Sequence, residues 1–116
     1  MKYKTIIQLT SSESNVYKSM IRQIFNLLEH LNGQVEVKVV CHATSSPFCI
    51  EKDNIYVEEI IALLAKEVKI DVCRNMLVSN RIEPSELIPG IKIIPSGIAE
   101  LVIRQHEGWS YIKAGF

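Results

Sequence analysis

The sequence predicts an α/β fold: a three-layer α/β/α arrangement around a mainly parallel sheet of about five strands. Two observations predict it. Short β-branched apolar runs alternate along the chain with segments of helical period. The runs are mostly apolar throughout, as strands covered on both faces are, and such strands join through right-handed crossovers. The 116 residues are expected to form one domain, 1–116, with a core that needs no disulfide staples.

Tyr3 to Leu9 reads as the first strand, buried on both faces. Thr10-Ser11-Ser12-Glu13 matches a T-x-x-E capping pattern. Val16, Met20, Ile24, Leu27, Leu28 and Leu31 then recur at helical spacing over about five turns. Asn32-Gly33 ends that helix, with Gly33 as a left-handed stop. Val35, Val37, Val39 and Val40 make the second strand, with Cys41-His42 at its end. Ala43 to Asp53 is a loop containing Pro47 and a short turn near Phe48. Asn54 to Lys66 is a helix with Val57, Ile60, Ile61 and Leu64 on its apolar face. Lys69 to Cys73 is the third strand, and Arg74 to Asn80 a short helix. Pro84 to Leu87 is a turn, and Ile91 to Ile94 the fourth strand. Pro95-Ser96-Gly97 opens a helix carrying Ile98, Leu101, Val102 and Gln105, which Gly108 stops. Tyr111-Ile112-Lys113 makes a short fifth strand.

Charge and composition narrow the function classes. Thirteen basic residues balance thirteen acidic ones, so nucleic acid is not expected as a partner. Zero formal charge supplies little repulsion between copies, which suits self-association. No apolar run approaches the ~18 residues of a membrane span, and the first run breaks at Thr10 into a periodic helix rather than a cleavage site. The expected location is the cytoplasm, with no membrane partner. Cysteines at 41, 49 and 73 form neither a disulfide framework nor a zinc signature. The absence of a G-x-G-x-x-G or P-loop pattern leaves no call for a nucleotide cofactor, and none is expected.

Ligands of parallel sheets bind beyond the carboxyl ends of the strands. The junctions there are Thr10 to Glu13, Cys41 to Ser46, Cys73 to Met76 and Pro95 to Gly97. Cys73 lies where a strand runs into a helix start, a setting that favours thiolate, and Arg74 adds a charge beside it. The same residue also suits a small buried hydrophobe. His42 is placed to take the thiol proton or stabilise the thiolate, or simply to bond backbone. Asn75 suits a donor to bound sulfur or a helix cap. Ser96 and Gly97 open a helix, so they suit an anion contact or ordinary capping. Trp109 and Tyr111 suit a subunit interface or closure of the core.

These junctions resemble those of the DsrE/DsrF-like family of small α/β proteins, in its uncharacterised branch, over nearly the whole chain. The resemblance is carried by Arg22 to Leu28 in the first helix, by Val39-Val40-Cys41-His42-Ala43, by Cys73-Arg74-Asn75-Met76 and by Leu87-Ile88-Pro89-Gly90. It is carried also by Pro95-Ser96-Gly97, Arg104-Gln105 and Glu107-Gly108-Trp109. Two positions depart from the pattern: Met76 stands where the family often has Thr, and Ala43 where it often has Gly. The resemblance implies a flavodoxin-like three-layer fold and assembly into dimers, trimers or hexamers. Better-studied relatives relay sulfur as a persulfide on a cysteine after a comparable strand, and Cys73 is the residue that matches. The resemblance does not itself extend sulfur transfer to this branch, in which sulfur donor and acceptor proteins would be the partners. The alternative is a non-catalytic ligand-binding or assembly module in which Cys73 is inert.

Overall fold

The computed structural model describes residues 2–115. The chain runs β1 (Tyr3–Leu9), α1 (Ser14–His30), β2 (Val35–Cys41), α2 (Ser46–Cys49), α3 (Val57–Ala65) and β3 (Lys69–Cys73). It continues through α4 (Arg74–Ser79), a 3-10 turn (Pro84–Glu86), β4 (Lys92–Ile94), α5 (Gly97–His106) and β5 (Ser110–Lys113). All strand pairs are parallel, in the order β4-β3-β2-β1-β5.

That order dictates the layers. From β1 to β4 each strand is added on the same side of the last. Right-handed crossovers therefore put the intervening helices on one face. After β4 the chain reverses and crosses the whole sheet to reach β5, so α5 lies alone on the other face. The packing agrees: α1 touches α3, while α5 lies over β1, β2 and β3. The expected three-layer α/β/α architecture is present.

The two faces differ in chemistry. Ile7, Leu9, Val35, Val37, Val39, Ile70 and Val72 point into the larger core, against Met20, Ile24, Ile60 and Leu63. Each buried aliphatic side chain of this kind contributes about 1.5–3 kcal/mol. Beneath α5 the core is smaller: Ile6, Val40, Ile94, Leu101 and Trp109. The rest of that face is ionic. Lys38 Nζ lies 2.6 Å from Glu100 and 3.4 Å from Asp71, and Arg104 Nε lies 3.1 Å from Glu100. The strands are thus apolar on both sides only towards their carboxyl ends.

Several local expectations shift. No capping box forms at Thr10 to Glu13: α1 starts at Ser14, and its cap residue Glu13 makes no side-chain capping bond. Ser11 Oγ instead accepts from the Glu13 N–H at 2.9 Å, making a turn before the helix. α3 starts three residues later than expected. Asn54 spends its side chain on the loop, donating to the Phe48 and Ile50 carbonyls and accepting from the Tyr56 N–H. The buried face of α3 is Ile60 and Leu63, and Ile61 is exposed. In α5 only Gly97 and Leu101 are buried, while Ile98 and Val102 face outward. Trp109 closes the smaller core, with the Lys4 and Lys38 ammonium groups over its ring at 5.8 and 5.9 Å.

Candidate functional site

Strand register brings the expected junctions together. Leu9 pairs with Cys41, Cys41 with Val72, and Cys73 with Ile94. Thr10, His42, Cys73 and Pro95 therefore stand at one rim of the sheet. Loop bonds tie this rim together. The Thr10 carbonyl accepts from the Thr44 N–H at 3.1 Å and from its hydroxyl at 2.7 Å. The buried Ser45 hydroxyl donates to the His42 carbonyl at 2.8 Å and lies 3.7 Å from Met76 Sδ, linking the β2 loop to α4. Ala43 takes a left-handed backbone, φ 60°, a conformation that costs a residue with a Cβ.

Cys73 is the last residue of β3 and the cap position of α4, with no side-chain capping bond. It is 7% exposed, whereas Cys41 and Cys49 are fully buried. Its neighbours belong to the larger apolar core, which also holds Val72, Met76 and Leu77. No hydrogen bond joins the thiol to His42, Arg74 or Asn75, although all four residues are adjacent along the rim. Arg74 and Asn75 are exposed on α4. A groove of about 450 Å³ flanks that helix, lined by Arg74, Leu77, Val78, Ile82 and Ile93 among others.

His42 turns the other way, towards β1. Its Nε2 lies 2.8 Å from Gln8 Nε2, and the Tyr111 hydroxyl donates to Gln8 Oε1. Gly97 presses on it from above: a Cβ there would stand 3.3 Å from both His42 Cβ and Cγ and 3.2 Å from Val40 Cγ1. Glycine permits this close approach; any Cβ would push its neighbours back by a few tenths of an ångström. Burial holds the His42 pKa below the ordinary histidine value. Ser96 is committed to capping, its hydroxyl accepting from the Ala99 N–H at 3.1 Å.

The predicted residues thus share one rim but form two groups. Cys73, Arg74 and Asn75 sit at the β3–α4 junction. His42, Ser96 and Gly97 sit under the start of α5. Gln8 and Tyr111 complete the second group; Gln8 went unnoticed in the sequence, and Tyr111 was read there only as an interface or core-closing residue. Gln8 could have been found as the one amide in an otherwise apolar strand end, on the pleat face opposite Ile7 and Leu9. Two larger grooves, about 690 and 730 Å³, lie elsewhere, around residues such as Val35 and Val68 or Asp71 and Lys92. Among the described residues no group of three His, Cys, Asp or Glu could hold a metal ion, and no helix is long and apolar enough to cross a membrane.

The fold and rim define an α/β protein of three layers, with a thiol and an amide-bonded histidine at the carboxyl edge of a parallel sheet. No protein-family model matches the chain, and no curated protein matches it. Solved structures do. A protein of unknown function from Methanobacterium thermoautotrophicum, MTH1491, superposes with a TM-score of 0.90 at 24% identity, over 97% of this chain and 99% of that one. The ychN protein of E. coli gives 0.79 at 16% identity, over 97% and 99%. A conserved protein of unknown function from Bacteroides thetaiotaomicron, BT1422, gives 0.78 at 17%, over 95% and 93%. At these identities the likeness establishes the fold.

Proposed function

We propose that the chain is a DsrE/DsrF-like sulfur-relay protein that carries a sulfane sulfur on Cys73, working in the cytoplasm as a homo-oligomer. One observation carries this reading: of three buried cysteines, only Cys73 keeps any exposure, 7%, and it does so at the carboxyl rim of the sheet. The chemistry is a thiol exchange. The Cys73 thiolate attacks the outer sulfur of a donor persulfide, R–S–SH. The donor S–S bond breaks, a Cys73–S–SH bond forms, and the donor leaves as R–S⁻ with the bonding electron pair. Nothing is oxidised or reduced overall. Three free thiols suit a reducing compartment. Ile98 and Val102, 58% and 62% exposed on adjacent turns of α5, supply an apolar stripe for a second copy.

The test is intact mass after incubation with a low-molecular-weight persulfide. A gain of one sulfur, removed by reductant and absent in Cys73→Ser, is expected. No gain, or the same gain in the variant, rejects the reading. A second reading has its own support: the Cys73 thiol has no polar partner and lies among core residues. An inert Cys73 in a non-catalytic assembly or ligand-binding module would label only after denaturation.

A further inference from the structure

The polar bonding at the rim concentrates on His42, and it specifies which ring nitrogen is free. We propose that Gln8 and Tyr111 are positioning residues that hold His42 neutral with its proton on Nδ1, so that the ring offers the rim a hydrogen-bond donor and not a base.

The argument starts from the Tyr111 hydroxyl. It has one proton, which goes to Gln8 Oε1. A primary amide has only two ends, so fixing the oxygen towards Tyr111 turns the NH₂ group towards His42, 2.8 Å away at Nε2. The amide nitrogen cannot accept. The Nε2 it faces must therefore be bare, and a neutral imidazole bare at Nε2 carries its proton on Nδ1. The competing arrangement has the amide turned over. Gln8 Oε1 would then accept from an Nε2–H, Tyr111 would accept from the amide, and the Tyr111 proton would pass to solvent. A protonated His42 requires that arrangement.

The surroundings favour the neutral ring. The first turn of α5 approaches it so closely that a Cβ at position 97 would stand 3.3 Å from the ring carbon Cγ. The positive end of a ten-residue helix disfavours an imidazolium. Lys113 on β5 pairs with Gln8 in register. Lys38 lies earlier on β2 and is neutralised by Asp71 of β3 and Glu100 of α5. No carboxylate bonds His42. With Nε2 occupied, the lone pair needed to take the Cys73 proton is unavailable, and Nδ1–H is the group left to chemistry.

The assignment stands apart from the sulfur-carrier reading. The tautomer itself is measured without sulfur chemistry. The experiment is long-range proton–nitrogen NMR on the full chain with labelled histidine at neutral pH, with His42 assigned by His42→Asn. The wild type is expected to show the Nδ1–H pattern at His42 and the usual Nε2–H pattern at the exposed His30 and His106. Gln8→Glu offers Nε2 an acceptor in place of a donor, so the pattern at His42 should invert. Gln8→Leu, which adds no charge, should return it to the ordinary Nε2–H form. Tyr111→Phe frees the amide to turn and should give both. A residue with a purely structural role would not invert a tautomer. An Nε2–H pattern in the wild type, or no change in either Gln8 variant, overturns the proposal. Failure of Cys73 to take sulfur while the tautomer stands would overturn the carrier reading alone.

Discussion

Replacing Lys38 with methionine keeps the length of the side chain and removes the one cation that Asp71 and Glu100 share. Burial disfavours the Lys38 ammonium, but Glu100 and Asp71 outweigh it and raise its pKa. Burial raises the Asp71 pKa, and Lys38 opposes that rise. At Glu100 burial is outweighed by Lys38 and Arg104, so its pKa falls below the ordinary value. The side chains of Lys38, Asp71 and Glu100 are 14%, 4% and 14% exposed. Breaking a buried pair costs about 3–5 kcal/mol and an exposed pair about 0–1. This site lies nearer the first limit, so Lys38→Met should cost roughly 2–4 kcal/mol. In urea, with a slope of about 2 kcal/mol per molar, the midpoint should fall by roughly 1–2 M at pH 7. The pH dependence has a definite sign. Without Lys38 the folded-state pKa of Asp71 rises further above its unfolded value. The penalty for its charge is full above that folded value and fades as pH falls through it. The deficit of Lys38→Met against the wild type should therefore shrink on acidification. Adding Asp71→Asn removes the stranded charge and should restore part of the loss. A loss below about 1 kcal/mol at pH 7, or no recovery in the double variant, would refute the reasoning.

Ala43→Gly should raise stability by about 0.5–1 kcal/mol in thermal unfolding, because the position is left-handed and glycine removes the Cβ clash. Gly97→Ala should cost about 1–3 kcal/mol and shift the His42 resonances, since its methyl would press on Val40 and His42. Trp109→Ala should cost about 3–5 kcal/mol by emptying the smaller core, read by chemical denaturation. Under native conditions a thiol reagent should label Cys73 before Cys41, whose pKa is pushed up by its contact with Cys49 and by burial; equal rates would contradict the burial pattern.

Much of the architecture was legible because each strand announced itself by β-branched runs and each helix by its period. β1 and β3 begin and end where the sequence places them. Strand order was not legible. The return of α5 across the sheet depends on long-range pairing of β1 with β5, and no local pattern records it. Helix faces were only partly legible. Ile61, Ile98 and Val102 are apolar yet point outward, because hydropathy marks what could be buried and not which side the sheet lies on. The rim residues were found through the rule about strand carboxyl ends. Their grouping was not, since side-chain direction separates Cys73 from His42 despite adjacent positions. Lys38 and Asp71 were hidden inside runs read as mostly apolar.

The placement of β5 bears on how the chain folds. β1 pairs on one side with β2, reached through a single helix, and on the other with a strand 105 positions away at the Thr5–Ser110 contact. As the chain emerges in order, the flank of β1 towards β5 stays open until residues 97 to 113 arrive and lay α5 and Trp109 across the second face. That long wait slows completion and leaves an unpaired strand edge open to strands from neighbouring chains. The carboxyl-terminal helix and strand therefore act as a closing clasp: the first four strands form a platform, and the last two elements cover the free flank of β1.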